Sequence, residues 1–287
     1  MPAWLLALLG AALLLAAVVY WLFVLTEGAY LGSRTVTALY DRVAGRYDRI
    51  KQFVDEDEDY FLGRPIARFL AGWPDPAGAV PWLLDVAAGT GRLPLTVLRA
   101  SAGRCQVIAV DSSAAMLEQA RGKLARHGWR DVQYLAHDAS RLPFASGQFA
   151  VVACLEALEF LPDPLAALAD LLRVTRPGGL LVLSSRIGRE ARLMPGRIWS
   201  RERLSAELRR LGAGGVEIMP WQMDYDLVFA LKQGEAAPLA TEGWPALLQC
   251  PRCGSQPVSD VQSGQSLLAC PACHWRLALR QGIWRHP

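Results

Sequence analysis

One stretch, Leu83-Leu84-Asp85-Val86-Ala87-Ala88-Gly89-Thr90-Gly91-Arg92, does most to narrow what this chain can fold into. An apolar run that ends in an acid and breaks into a glycine turn reads as a buried parallel strand feeding a helix over 93–100. That is the place where an open α/β sheet holds a nucleotide-like ligand. The dinucleotide pattern G-x-G-x-x-G fails here, because Pro94 stands where its third glycine belongs. From this point strand and helix alternate. Strands are expected at 82–86, 106–110, 132–136, 149–155 and 180–185, helices at 93–100, 113–127 and around 164–173, and a turn at RPGG, 176–179. A helix over 201–211, with Ser200 as N-cap and Gly212 as its stop, precedes strands near 215–220 and 226–231. The expected fold is α/β, a doubly wound, Rossmann-like, seven-stranded and mostly parallel sheet.

Residues 2–25 carry no charge and are almost wholly apolar. As a helix they span about 36 Å, enough to cross a bilayer core of about 30 Å. Trp4 near one end and Tyr20 and Trp21 near the other suit the two interfaces. A cleaved signal peptide is the competing reading, but it wants a basic start and a shorter apolar run, and no basic residue precedes Arg34. Arg34, Arg42, Arg46, Arg49 and Lys51 follow the span, so the C-terminal side is expected in the cytoplasm, with a single-pass anchor in the membrane.

Helical pieces are expected over 36–73, where Phe61, Leu62, Ile66, Phe69 and Leu70 share one face, and the aromatics at 40 and 47 can lean over a neighbouring pocket. Trp73-Pro74-Asp75-Pro76 breaks the pattern. At 52% hydrophobic the chain has ample core material, and a net charge of +3 is too small to argue for a nucleic-acid partner, which is not expected. Cys105 and Cys154 sit in expected strands as small buried hydrophobes.

Asp111 stands at the end of the second strand, 22 residues after Gly89, where a carboxylate can accept from both hydroxyls of a ribose. Asp138, at the end of the third, points to the same crevice and can accept from the exocyclic amine of adenine. With these residues in place, LLDVAAGTGRL (83–93), VIAVDSSAAML (107–117), HDASRLPFASGQFAVVACLEALEFLPDP (137–164) and RVTRPGGLLVLSS (173–185) resemble the class I S-adenosylmethionine-dependent methyltransferases. Within them the chain is similar to the menaquinone/ubiquinone C-methyltransferase branch. The resemblance implies S-adenosylmethionine as cofactor, with Asp85, Gly89 and Gly91 shaping the methionine site and Ala87 in place of the usual first glycine. It further implies Asp111 on the ribose, Ser112 and Met116 flanking the adenine, Asp138 with Ala139 at the adenine amine, the Leu155 carbonyl on the cofactor's amino group, and Tyr47 closing the pocket. Phe160 replaces the family's frequent histidine, so no catalytic residue is carried over. The fourth strand runs into Cys154-Leu155-Glu156-Ala157, without the N/D-P-P-Y/F motif of enzymes that methylate base amines or amide nitrogens.

From Arg186 to Arg210 there are eight arginines against three glutamates, read either as a solvated face or as a basic rim for anionic headgroups. Residues 233–246 read as a linker. Cys250-x-x-Cys253 and Cys270-x-x-Cys273 then have the spacing of a tetrahedral four-thiolate Zn²⁺ site, which would supply much of the folding free energy of so short a unit. The segment ALLQCPRCG…LLACPACHWRLALRQGIW resembles the small zinc-ribbon proteins that activate tRNA and translation-factor methyltransferases. That implies docking in cis on the sheet domain or capture of a protein partner.

The expected organisation is an anchor over 1–27, a helical lid over 28–75, a methyltransferase domain over 76–232, a linker over 233–246 and a zinc ribbon over 247–287. The leading function is a membrane-anchored methyltransferase acting on a lipophilic small molecule such as a quinone or lipid. The alternatives are a protein or tRNA methyltransferase helped by its ribbon, and a non-catalytic tethered binding module.

Overall fold

The computed structural model describes residues 2–73, 79–235, 243–262 and 265–287. The expected break at Pro74–Pro76 and the middle of the expected linker lie outside these residues.

Helix α1 (Ala3–Tyr20) continues through a wider turn, Trp21–Leu25, to make one 23-residue helix of mean hydropathy 2.6 with no residue buried. It is long and apolar enough to cross a membrane. Thr26 closes it, its hydroxyl donating to the carbonyls of Trp21 and Leu22. Glu27 and Gly28, both with positive φ, then turn the chain back on itself. The lid follows as α2 (Ser33–Val43), α3 (Tyr47–Lys51), α4 (Asp55–Glu58) and α5 (Arg64–Ala71). Leu62, Ile66 and Leu70 of the expected apolar face are buried against the sheet domain, and Phe61 and Phe69 pack beside them.

The sheet domain comprises β1 (Trp82–Val86), α6 (Arg92–Ala100), β2 (Gln106–Asp111), α7 (Ala114–Arg126), β3 (Gln133–Ala136), β4 (Phe149–Cys154), α8 (Pro164–Val174), β5 (Thr175–Arg186), α9 (Gly188–Arg192), α10 (Arg201–Arg210), β6 (Ala213–Pro220) and β7 (Tyr225–Lys232). Every residue of β1 and β4 is buried, as strands covered on both faces require. The strand order is 6-7-5-4-1-2-3, with β5–β4–β1–β2–β3 parallel and β7 antiparallel to β5 and β6. The expected N-cap holds, Ser200 Oγ accepting from Arg203 N–H, and Ser113 caps α7 in the same way.

RPGG does not turn the chain. It lies inside β5 as an irregularity, the β4 register jumping between the Phe149–Thr175 and Val151–Leu180 pairs. A Cβ on Gly179 would stand 2.7 Å from the Arg176 carbonyl oxygen and 3.0 Å from that of Ala150, so only glycine lets the strand cross there.

The tail forms β8 (Val258–Gln262), β9 (Gln265–Ala269), β10 (Arg276–Arg280) and β11 (Ile283–Arg285), an antiparallel unit whose last strand adds to the main sheet. Trp284 pairs with Leu135 and Arg285 with Ala136, parallel to β3, so one sheet of eleven strands results where seven were expected for the domain alone. A second seam joins 143–145 to 247–249: Ala145 N–H donates to Leu247 O and Gln249 N–H to Pro143 O, both at 2.9 Å. Leu247, Leu268, Trp275 and Leu277 share one buried cluster with Val110, Leu135, Leu142 and Phe144. The tail therefore docks in cis and closes the β3 edge, which would otherwise present unpaired backbone groups.

Candidate active site

The carboxyl ends of β1, β2, β3 and β4 open into one cleft of about 720 Å³, roofed by the lid. Ala87, Gly89, Asp111, Ser112, Asp138, Ala139 and Leu155 line it from the sheet, and Tyr47 lines it from above. A smaller recess of about 370 Å³ continues it past Gly89 and is lined by Asp85, Thr90, Arg92, Phe53 and Glu156. Nine of the eleven residues expected at the cofactor thus face one connected space. Gly91 and Met116 do not. A Cβ on Gly91 would meet Leu124 at 2.8 Å, so this glycine serves helix packing, and Met116 is buried with its amide held by the Ser113 hydroxyl.

The turn after β1 is built by its backbone. Ala87, Gly89 and Gly91 all have positive φ, and Ala88 N–H returns to Val110 O, tying the turn to β2. Asp111 Oδ2 accepts from Gly89 N–H and its Oδ1 from Ser113 N–H, each at 2.8 Å. Burial pushes the Asp111 carboxyl up to about 6, against the lowering effect of those donors, so it is ionised at neutral pH. Asp138 goes the other way: burial raises it, but hydrogen bonds from Ser140 and Ser33 outweigh burial and hold it below the usual aspartate range.

Two Tyr-Asp pairs, seven residues apart, clip the lid in place. Asp41 accepts from the Ser113 hydroxyl, while Asp48 takes the Thr90 hydroxyl and the Lys123 ammonium, all at 2.5 Å. Their neighbours Tyr40 and Tyr47 both line the cleft, as their positions in the sequence suggested. The repeated Tyr-Asp was the available signal for these clamps.

The recess holds charges that the sequence reading did not single out. Glu156, with φ of 51°, lies 2.6 Å from Lys51 and 2.9 Å from Arg92 Nη1, and Arg92 Nε lies 3.4 Å from Glu58. Burial opposes ionisation of Glu156, yet Arg92 and Lys51 together hold its carboxyl below the usual range. Arg92 stacks over Phe53 at 4.2 Å and Trp221 at 5.0 Å. Its Nη1 is committed to Glu156 at 2.9 Å. A guanidinium at the wall of the recess suits an α-carboxylate. Open space also stands above Gly89, where an added Cβ would meet nothing within 4 Å.

Asp85, at the base of the recess, is raised to about 8 by burial first, with Asp111 adding to the rise and Arg92 opposing it. A folded-state pKa above the unfolded value means the native state binds the extra proton, so stability is largest at acid pH and falls as pH rises toward about 8. Asp85→Asn is expected to remove its share of that fall, read as ligand-free urea midpoints that no longer drop between about pH 7 and 8, above the range in which Asp111 titrates. An ammonium group placed beside Asp85 would reverse the rise, so binding of an amino-acid cofactor is expected to release a proton, measured by calorimetry in buffers of different ionisation enthalpy.

The end of the cleft away from Asp85 is apolar: Val36, Ala157, Phe160 and Leu161. It is built on the end of the long helix. Trp21 stacks on Tyr30 at 4.9 Å and donates from Nε1 to Leu193 O, and Tyr30 Oη donates to Pro195 O. Ala29, Phe160 and Met194 form a small core with Val36 packed on it. Trp21 is therefore tied into the protein and is not a free interfacial anchor. Arg197 reaches the carbonyls of Ala29 and Leu161, Arg201 pairs with Asp226, Arg210 with Glu207, and Arg186 with Glu159 and Glu190. Four of the eight arginines from 186 to 210 thus hold the protein together and do not form a free basic rim.

In the tail the four thiols of Cys250, Cys253, Cys270 and Cys273 all lie within 4.8 Å of one another. His274 follows the last of them and is not part of the group.

Residues 83–179 match the family model described as "Methyltransferase domain". The chain is 36% identical over 151 residues to a demethylmenaquinone methyltransferase of Renibacterium salmoninarum, covering 52% of this chain and 57% of that one. It is 35% identical over 160 residues to a ubiquinone/menaquinone biosynthesis C-methyltransferase of Desulfotalea psychrophila, covering 56% and 59%. The chain spans a little under three fifths of the length of these curated relatives. In fold it is similar to a putative S-adenosylmethionine-dependent methyltransferase of Methanococcus maripaludis, with a TM-score of 0.53, 16% identity, and 69% and 95% of the two chains covered. Residues 83–179 of the sheet domain are thus a methyltransferase domain, and in sequence this part of the chain is similar to the menaquinone and ubiquinone C-methyltransferases.

Proposed function

We propose that the whole chain is a membrane-anchored methyltransferase that methylates the ring of a lipophilic quinol. One observation carries the reading: a single cleft joins a polar nucleotide end, marked by Asp111 and Asp138, to an apolar end built on the turn that closes the long N-terminal helix. A ring with an apolar tail meets that end without leaving the neighbourhood of the bilayer. S-adenosylmethionine, when bound, supplies an electrophilic methyl group. Asp111 would hold the ribose hydroxyls, Asp138 the adenine amine, Arg92 the carboxylate, and Asp85 with the Leu155 carbonyl the amino group. Tyr47 and the clamped lid would exclude water, which suits a transfer driven mainly by in-line positioning.

The basic residues that follow the long helix, Arg34 to Lys51, support a cytoplasmic site. The four thiols are read as a structural Zn²⁺ site, and the ribbon as a cis subunit whose free strand is used on β3. Methyl label from the cofactor is expected in the lipid extract of membranes incubated with the full chain. Label confined to protein or RNA would reject the quinol acceptor in favour of the macromolecular one.

A further inference from the structure

One wall of the cleft carries a hydrogen-bonded pair that runs from the cavity to the turn closing the long helix. Tyr40 lines the cleft and is half-buried, its ring 5.9 Å from that of Tyr47 and 6.3 Å from that of Phe160. Its hydroxyl donates to Glu27 Oε2 at 2.8 Å. Glu27 is the first charged residue after the long helix, held in the left-handed region at φ 47° by the turn that closes that helix. Its other oxygen lies 3.7 Å from Arg186, but Arg186 is matched more closely by Glu159 at 3.0 Å and Glu190 at 2.7 Å. The Glu27 carboxylate thus has no tight cation of its own, and its side chain is 39% exposed, so it can exchange protons with water.

We propose that Tyr40 is a catalytic residue, accepting the proton of the acceptor's ring hydroxyl while passing its own to Glu27. This rests on the reading of the cleft as a quinol methylation site. The substrate O–H bond breaks as a bond to Tyr40 Oη forms, and the Tyr40 O–H bond breaks as one to Glu27 Oε2 forms. The electron pair left on the substrate oxygen raises the density on the neighbouring ring carbon, which takes the methyl group while the S–CH₃ bonding pair stays on sulfur. The relay then returns its proton to the oxygen as the ring carbon's own hydrogen leaves as H⁺ to water. One proton is released per methyl transferred, and Tyr40 and Glu27 are regenerated.

The other ionisable groups nearby are poorer candidates. The carboxylate that acts on Tyr47, from α3, is Glu156, which Lys51 and Arg92 already pair. Tyr225, from β7, is already committed to Glu159 at 2.8 Å. Glu156 is neutralised by Lys51 and Arg92, which leaves it a weak base. Tyr40 itself is raised well above the usual tyrosine range, by burial first and then by Glu27, and therefore enters the cycle as the neutral phenol that a relay needs.

The test uses the full chain in neutral phospholipid nanodiscs, with a prenylated naphthohydroquinone kept reduced as the probe. Tyr40→Phe and Glu27→Gln are each expected to lower kcat by about 100-fold while leaving the affinity for S-adenosylmethionine, read by calorimetry, within about threefold. The loss of turnover in Glu27→Gln is expected to be partly restored in Glu27→Asp, which keeps a carboxylate to take the Tyr40 proton. Wild-type turnover with both variants within about threefold of it, or Glu27→Asp no more active than Glu27→Gln, overturns the relay alone. No wild-type turnover of the probe, despite cofactor binding, overturns the acceptor class and the relay together.

Discussion

Asp111→Ala is expected to weaken S-adenosylmethionine binding by about 100-fold, since two hydroxyl-to-carboxylate hydrogen bonds of about 1.5 kcal/mol each are lost together. The substitution also frees the Gly89 and Ser113 amides that the carboxylate now holds at 2.8 Å, so the turn at the head of β1 loses its brace. Asp111→Asn keeps one of the two braces, since its single amide oxygen can accept from Gly89 or Ser113 but not both; it is expected to lower the melting temperature less than Asp111→Ala while still losing most of the affinity. Calorimetric titration of the full chain reads both variants. Asp111 is raised to about 6 by burial, so affinity is also expected to fall as pH drops through about 6, where the carboxylate takes up a proton. Affinity within about threefold of wild type in Asp111→Ala would remove the ribose role, because no other carboxylate stands at the end of β2.

With the four-cysteine group read as a structural Zn²⁺ site, chelation or Cys270→Ser with Cys273→Ser is expected to unfold the ribbon. The reason is one of scale: a structural zinc site supplies about 10–16 kcal/mol of binding free energy, which in so small a unit is its folding free energy. The damage is expected to spread. Leu268, Trp275 and Leu277 share a buried cluster with Val110, Leu135 and Phe144 of the methyltransferase domain, and β11 covers the β3 edge. Chelation is therefore expected to lower the melting temperature of the whole soluble part and to promote association through the exposed strand. Deleting 247–287 should do the same. A domain that stayed soluble and kept its melting temperature after that deletion would show that the ribbon is a free module.

Seven of the residues assigned from strand ends or from the family resemblance line the main cleft, with Tyr47 above them and Asp85 in the adjoining recess. They were legible because each lies within a residue or two of a strand end or in a short motif, and strand ends can be read from an apolar run and its stop. Gly91 and Met116 fell just outside the cleft because a motif fixes the neighbourhood of a residue and not the direction of its side chain. RPGG was misread because Gly and Pro mark irregular backbone without telling a turn from a strand interruption.

The charged recess was illegible for a different reason. Lys51, Glu58, Arg92 and Glu156 come from four separated segments, and no spacing rule links them. The pairing of Glu27 with Tyr40, and that of Arg186 with Glu159, are of the same kind. The eight arginines read either as a solvated face or as a basic rim because sequence counts charge without showing which carboxylate or carbonyl each one meets.

By itself the sequence determined the elements, the identity of the fold and the polar half of the site, since periodicity, glycine turns and strand-end acids are local properties of the chain. It also determined that four thiols would gather, because two C-x-x-C pairs each bring their own sulfurs close. Only the tertiary structure decided where the ribbon sits, since the pairing of β11 with β3 is made by backbone groups common to all residues. Only the tertiary structure, too, brought the end of the long helix to the apolar end of the cleft. The contacts that do so, Trp21 with Leu193, Arg197 with Ala29 and Glu27 with Tyr40, join segments whose meeting depends on how the whole core packs.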